Sequence, residues 1–363
     1  MKVLSVVGAR PNYVKLAAVY DAFSKLFEHV IVDTGQHYDY EMNRVFFDQF
    51  TIPEPHYFLG AGSGSHGYQV GEVIKRVEAV LLRERPDIVV VYGDTNSALG
   101  GALAAVKAGF RVAHVEAGLR SFDMTMPEEV NRRVIDHVSS LLFAPTRTAL
   151  SNLLSERVPG EVYLVGDVHV YVLRRWVAVA KERSNVLQRL GVKPQEYALV
   201  TLHRAENVDS VSRLSKLLHL VSRIAECYCK VVFPVHPRTR KNMAEAGLDA
   251  AISKNDNVVL TQPLGYIDFI KLLNHSRIVL TDSGGVQREA YLLRKPVVIL
   301  RKRTEWVELV EYGLAMLYDV EEGVDVDRIL RWRPREYVDG LLGDESAPRR
   351  IAELIHAFIR RRG

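Results

Sequence analysis

Two carboxylates, Asp94 and Glu116, each stand just beyond a short apolar run, 87–92 and 111–115. Ligands of open α/β sheets bind beyond the carboxyl ends of the strands, so carboxylates placed there are candidates for acid/base chemistry. His203 and Arg204 close another such run, 197–202, and can supply two donors to a diphosphate. Farther on, Asp282-Ser283-Gly284-Gly285 separates the apolar run 277–281 from a helical pattern over 286–293. A Ser-Gly-Gly turn leaves N–H groups unpaired at the helix start and lets a ligand approach the backbone, so it reads either as a phosphate cradle or as only a tight βα turn. Glu289 follows four residues after Gly285, within reach of a ribose hydroxyl pair.

Near the start, Gly8-Ala9-Arg10-Pro11 turns from a strand over 3–7 into a helix. Pro11 suits the first helical position, where its missing N–H would have no partner. Arg10 and Lys15 bracket a helix N-terminus that already favours anions. Pro127-Glu128-Glu129 opens another helix, with Glu128 and Arg132 four apart on one face. Glu129 reads there as compensation of the helix dipole. The glycine-rich stretch 60–71 reads as a mobile loop carrying His66 and Gln69.

The bulk numbers bound these readings. A chain of 363 residues exceeds one ordinary core and predicts two domains. Its 48% hydrophobic and 25% charged residues belong to a folded protein. A net charge of +4 is too mild for a nucleic-acid face and points instead to a local anion site. Cys227 and Cys229 have no second pair to complete a metal site, which argues for a reducing compartment and against zinc or disulfides. No segment approaches the ~20 apolar residues of a membrane span, and the N-terminal apolar run is too short for a signal peptide. The expectation is a cytoplasmic protein with no membrane insertion.

To position these residues, strands must alternate with helices. Runs at 3–7, 30–33, 87–92, 111–115, 141–144 and 162–165 read as strands, and so do 197–202, 230–235, 258–261, 277–281 and 297–300. A long helical pattern covers 170–190, and 349–361 is amphipathic, with Ile351, Leu354, Ile355 and Phe358 on one face. This predicts an α/β protein of two Rossmann-like, doubly wound parallel-sheet domains facing a central cleft, the GT-B type. The domains span 1–168, with the acid/base residues, and 169–346, with the anion cradle; a C-terminal helix over 347–363 can pack back on the first. No G-x-G-x-x-G follows a strand, so no nicotinamide cofactor is expected, and there is no Walker A sequence.

The motifs GARPNYVKL, TGQH, GDTNS, HVEAGLRS, MPEEVNR, FAPT, TLHRAEN, HPRT and DSGGVQREA occur in this order. Taken together they resemble the non-hydrolysing UDP-N-acetylglucosamine 2-epimerase family over nearly the whole length. The resemblance implies a UDP-sugar substrate, no cofactor, no metal, a homodimer and a place in cell-surface polysaccharide biosynthesis. It implies Asp94, Glu116 and Glu128 as the acid/base set, with His203, Arg10 and Lys15 by the diphosphate and Arg132 and Arg204 beside the substrate. Ser283, Gly284 and Gly285 would hold phosphate, Glu289 the ribose and Phe269 the uracil. In bacterial members Gln36, His37 and Gln69 match a region that binds a second, activating sugar nucleotide. The chain departs from the family's Thr-Arg-Pro-Glu at Ala9-Arg10-Pro11-Asn12. It also has Thr304-Glu305-Trp306-Val307-Glu308 for Thr-Glu-Arg-Pro-Glu, which resembles the branch acting on UDP-2,3-diacetamido-2,3-dideoxy-glucuronic acid.

The hydrogen at C2 of an acetamido sugar is not acidic, because no carbonyl carbon adjoins it. Inversion there needs oxidation next door or loss of the anomeric leaving group. Without a nicotinamide site, the second route is expected: elimination of UDP to a 2-acetamidoglucal, then re-addition with the proton on the other face. It calls for a held diphosphate and carboxyl groups of different protonation. A GT-B glycosyltransferase, a UDP-sugar sensor and a hydrolysing epimerase are the alternatives the residues leave open.

Overall fold

The computed structural model describes residues 1–35, 47, 52–62 and 64–361. The chain divides into two units, Met1–Val172 with Gly340–Gly363, and Leu173–Asp339. The first is built on β1 (Lys2–Val7), β2 (Glu28–Asp33), β3 (Tyr57–Phe58), β4 (Ile88–Tyr92), β5 (Val112–Val115), β6 (Leu141–Ala144) and β7 (Glu161–Leu164). They pair in parallel in the order β3-β2-β1-β4-β5-β6-β7. The second unit carries β8 (Tyr197–Thr201), β9 (Lys230–Pro234), β10 (Val258–Thr261), β11 (Ile278–Thr281), β12 (Val297–Ile299) and β13 (Ala315–Leu317). These are also parallel, in the order β10-β9-β8-β11-β12-β13.

Both sheets therefore reverse direction once, between β1 and β4 in the first unit and between β8 and β11 in the second. Such a switch point opens a crevice at the carboxyl ends of the two central strands. The strands that border it are apolar without alternation because helices cover both faces. All five residues of β4 and all four of β11 are buried. The helix Asn96–Lys107 is made of small residues because it lies close against its neighbours. A Cβ on Gly100 would come within 2.5 Å of Val73 Cγ1 on the helix His66–Glu84.

Three readings change. The stretch 60–71 is loop only up to Ser65; His66 starts a helix, with the Ser65 hydroxyl accepting the Tyr68 N–H at 3.4 Å. The glycines concealed that start, because the capping serine and the first buried residue, Gln69, sit among them. The pattern over 170–190 breaks at Ser184-Asn185 into the helices His169–Arg183 and Val186–Arg189. Strands β3 and β13, of two and three residues, escape pattern reading by their shortness. The C-terminal helix, Ala347–Arg360, packs on the helix Arg10–Leu26 of the first unit and buries Ile351, Ala352, Ile355 and Phe358. Among the described residues no helix is long and apolar enough to cross a membrane.

The end of β2 carries an acid that should make stability depend on pH. Asp33 is fully buried; Tyr13 Oη donates to its Oδ2 at 2.9 Å and the Gly35 N–H to its Oδ1 at 2.9 Å. Burial raises its pKa to about 6, against the pull of those two donors. Between pH ~4 and about 6 the native state then holds a proton that the unfolded chain has released, so stability falls as pH rises through that window. The drop is about 3 kcal/mol, from roughly two pKa units. Urea unfolding at both ends of the window should show this fall in the wild type and a smaller one in Asp33→Asn. Equal slopes would rule the acid out.

Candidate active site

In the first unit the turn after β1, the ends of β4 and β5, and the helix Pro127–Val138 bring their polar residues together. Asn12 donates from Nδ2 to Tyr92 O at 2.7 Å, and its Oδ1 accepts from Thr95 Oγ1 at 3.2 Å. A glutamate at this position could not donate to that carbonyl, so asparagine is what ties the β1 turn to the end of β4. Gly93 follows with φ +63, and a Cβ there would fall 2.5 Å from Lys15 Nζ. Lys15 is buried and pairs with Glu116 Oε1 at 2.7 Å. Glu116 itself is left-handed, at φ 73, which costs a non-glycine residue about 1–2 kcal/mol. Strain of this kind persists where surrounding contacts over-determine it, and it clusters at functional sites.

Those contacts come from a buried ionic network. His114, inside β5, has Nδ1 2.6 Å from Asp136 Oδ1 and Nε2 2.8 Å from Gly93 O. Asp136 Oδ2 accepts from the Gly118 N–H at 3.1 Å and pairs with Arg120 at 2.8 Å. Burial alone would raise the pKa of Asp136, but the charges and hydrogen bonds of His114 and Arg120 hold it below the usual range. One carboxylate thus holds the residues two before and two after Glu116, and through the His114 ring the carbonyl of Gly93, the residue before Asp94.

Asp94 is 31% exposed and takes Arg132 Nη2 at 2.6 Å. The same guanidinium reaches Glu129 Oε2 at 2.7 Å, and Glu129 also accepts from the Ser121 N–H at 2.8 Å and from Arg133 at 3.1 Å. Glu129 is fully buried, so it aims Arg132 at Asp94, a larger part than dipole compensation. Asn131 Nδ2 donates to Asp94 O at 2.8 Å. Glu128 is half-buried on the first turn of the same helix. Gln69 has both ends of its amide in use: Nε2 donates to Gly62 O at 2.9 Å and Oε1 accepts from Asn96 at 2.7 Å. The side chain of Arg10 and residues Gln36 and His37 lie outside the described residues.

The second unit assembles the anion cradle at the β8/β11 switch point. Asp282 is fully buried beyond β11 and accepts from the backbone N–H groups of His203 and Arg204 at 3.0 Å and from Asn207 Nδ2 at 3.1 Å. It also pairs with His203 Nδ1 at 3.2 Å. Burial would raise its pKa, but His203 and these donors bring it down to about 2. His203 and Arg204 are thereby tied to the turn Ser283-Gly284-Gly285, which opens the helix Gly284–Leu292.

The two glycines differ. A Cβ on Gly284 would strike Glu305 Oε1 at 2.1 Å, whereas on Gly285 it would meet only Ser283 Oγ at 3.9 Å. Gly284 makes room for protein, and Gly285 leaves room for a ligand. Glu289, in the same helix, is buried and accepts from Tyr266 Oη at 3.0 Å. Phe269 is buried on the helix Tyr266–His275. Arg204 lies 3.7 Å from Glu305, which Arg301 holds at 2.9 Å. Trp306 is buried beneath the Arg288 guanidinium, 4.7 Å from its ring centroid.

Sequence reading therefore named the residues at the strand ends and passed over those that hold them: Asp136, Asp282 and Asn207. Asp282 was visible as the residue before the Ser-Gly-Gly turn, but nothing local marks its partners 75 to 79 positions away.

The model of a family described as UDP-N-acetylglucosamine 2-epimerase matches residues 22–356. A Methanococcus maripaludis protein named UDP-N-acetylglucosamine 2-epimerase homolog is 44% identical over 357 residues, covering 98% of this chain and 99% of its own. The UDP-2,3-diacetamido-2,3-dideoxy-D-glucuronate 2-epimerase of Pseudomonas aeruginosa is 41% identical over 98% of this chain and 99% of its own. Among solved structures, Methanocaldococcus jannaschii UDP-GlcNAc 2-epimerase in complex with UDP-GlcNAc and UDP superposes with a TM-score of 0.92. It is 40% identical and covers 98% of this chain and 100% of its own.

Proposed function

Since the chain belongs to the UDP-N-acetylglucosamine 2-epimerase family, and is thus a sugar-nucleotide 2-epimerase, we propose that it interconverts UDP-GlcNAc and UDP-ManNAc without hydrolysis. The observation that carries this reading is the likeness, along nearly the whole chain, to an enzyme solved with UDP-GlcNAc and UDP. The polar residues at both switch points support it. In the first half-reaction one carboxylate of the set Asp94, Glu116 and Glu128 removes the C2 proton. The C1–O bond breaks, and UDP leaves a 2-acetamidoglucal. In the second, a carboxylic acid of that set delivers a proton to the opposite face of C2 while a UDP oxygen re-forms the bond to C1. Lys15 beside Glu116 and Arg132 beside Asp94 favour the ionised carboxylates, as a cation within ~4–6 Å does.

UDP must stay bound between the two halves. His203, Arg204, Arg10 and the backbone of Ser283–Gly285 serve its diphosphate, Glu289 its ribose and Phe269 its uracil. The experiment is proton NMR of UDP-GlcNAc with the enzyme in heavy water. The C2 hydrogen should exchange with solvent as UDP-ManNAc accumulates, with no stoichiometric free UDP. Epimerisation without exchange would refute the elimination, and unchanged substrate would refute the epimerase.

A second substrate is favoured by one feature, the Thr304-Glu305-Trp306-Val307-Glu308 segment, together with the Pseudomonas relative. The same measurement with UDP-2,3-diacetamido-2,3-dideoxy-glucuronate separates the two: the faster-exchanging sugar is the substrate.

A further inference from the structure

We propose that Asp282 is a positioning residue that fixes the His203 ring with its hydrogen on Nδ1, so that diphosphate binds only together with a proton taken up at Nε2. The proposal rests on the reading of His203 as a diphosphate ligand. Every neighbour of Asp282 recorded above is a donor, and an ionised carboxylate only accepts. The ring nitrogen 3.2 Å from its Oδ1 must therefore carry hydrogen. His203 Nε2 has no protein partner among the described residues. In the neutral ring so oriented, Nε2 presents a lone pair, which repels the oxygens of an ionised phosphate. Only Nε2–H can donate to them, and that ring is an imidazolium.

The buried carboxylate offsets the charge of a ring that donates from Nε2. The other groups facing the ring do not take its place. His236 lies with its centroid 5.7 Å away, and its own Nδ1 accepts the Arg238 N–H at 3.3 Å. Arg204 extends toward Glu305.

The test is calorimetry of UDP on the full chain near pH 8, about two units above a phosphate's second ionisation, in two buffers of different protonation enthalpy. The wild type should take up about one proton per UDP. Asp282→Asn should take up much less and bind ~10-fold or more weakly, the loss expected for a hydrogen bond to a charged group. Nitrogen NMR of the histidine rings in the wild type, which needs no variant to fold, should show His203 as the Nδ1–H tautomer before UDP is added. An Nε2–H tautomer, or UDP bound with no proton uptake, would overturn the proposal. His203→Ala is the control for the reading beneath it: unchanged UDP affinity there removes the ligand role and the proposal together. Weakened affinity in His203→Ala, with no uptake in the wild type, removes the proposal alone.

Discussion

Asp94→Asn, Glu116→Gln and Glu128→Gln are each expected to lower turnover ~10²–10⁴-fold, the range a positioned acid or base contributes. The three changes keep shape and hydrogen-bonding size while removing the proton-carrying group. They differ in what else they disturb. Asparagine at 94 still offers an oxygen to Arg132, so that variant should fold like the wild type. Glutamine at 116 leaves the buried Lys15 ammonium without its counter-charge, so some stability should be lost along with the activity. Glu128, half-buried at a helix start, should give the cleanest kinetic effect. The measurement is kcat for UDP-GlcNAc on protein first shown by circular dichroism to be folded. Wild-type turnover in any one variant would take that residue out of the acid/base set.

The largest effect on stability is expected from Asp136→Ala. It leaves His114 Nδ1, Arg120 and the Gly118 N–H without the carboxylate they share, in a place where none of them reaches water. Breaking a buried ion pair by removing one partner costs about 3–5 kcal/mol, a large part of the roughly 5–15 kcal/mol of a typical protein. Arg120 keeps its two bonds to Glu156, which places the expectation toward the lower end. Urea unfolding should show the free energy of unfolding in water lowered by that amount, with Asp136→Asn between alanine and wild type. A change below about 1 kcal/mol would mean that the network is not what holds Gly93 and Glu116 in place.

How much of this was legible follows from where each partner lies. The strands were readable because a parallel sheet covered on both faces leaves unbroken apolar runs, as at 88–92 and 278–280. The chemical residues were readable because strand ends are where α/β proteins put them. Asp136 sits in the last turn of a helix whose sequence says only that it is amphipathic, and its partners are 18 and 22 positions away. Glu129 looked like an ordinary N-terminal carboxylate until Ser121 and Arg132 were seen around it. Ionic networks are tertiary facts, and no period or propensity encodes them.

The return of the helix Ala347–Arg360 to the first unit bears on how the protein is made. Its Phe358 lies under Arg111, its Arg361 neighbour reaches Glu161 at 2.8 Å, and Leu342 O accepts the Asp167 N–H at 2.8 Å. The second unit is therefore an insertion within the first in chain order. During synthesis the ribosome releases all of Leu173–Asp339 before the closing piece of the first unit exists. The later-encoded unit can finish folding first, while the earlier one waits with the helix Arg10–Leu26 uncovered on the face that Ile351, Ile355 and Phe358 will fill. A nascent chain stalled before residue 347 would expose that face to chaperones and proteases, and a premature stop there would damage the half of the protein already synthesised.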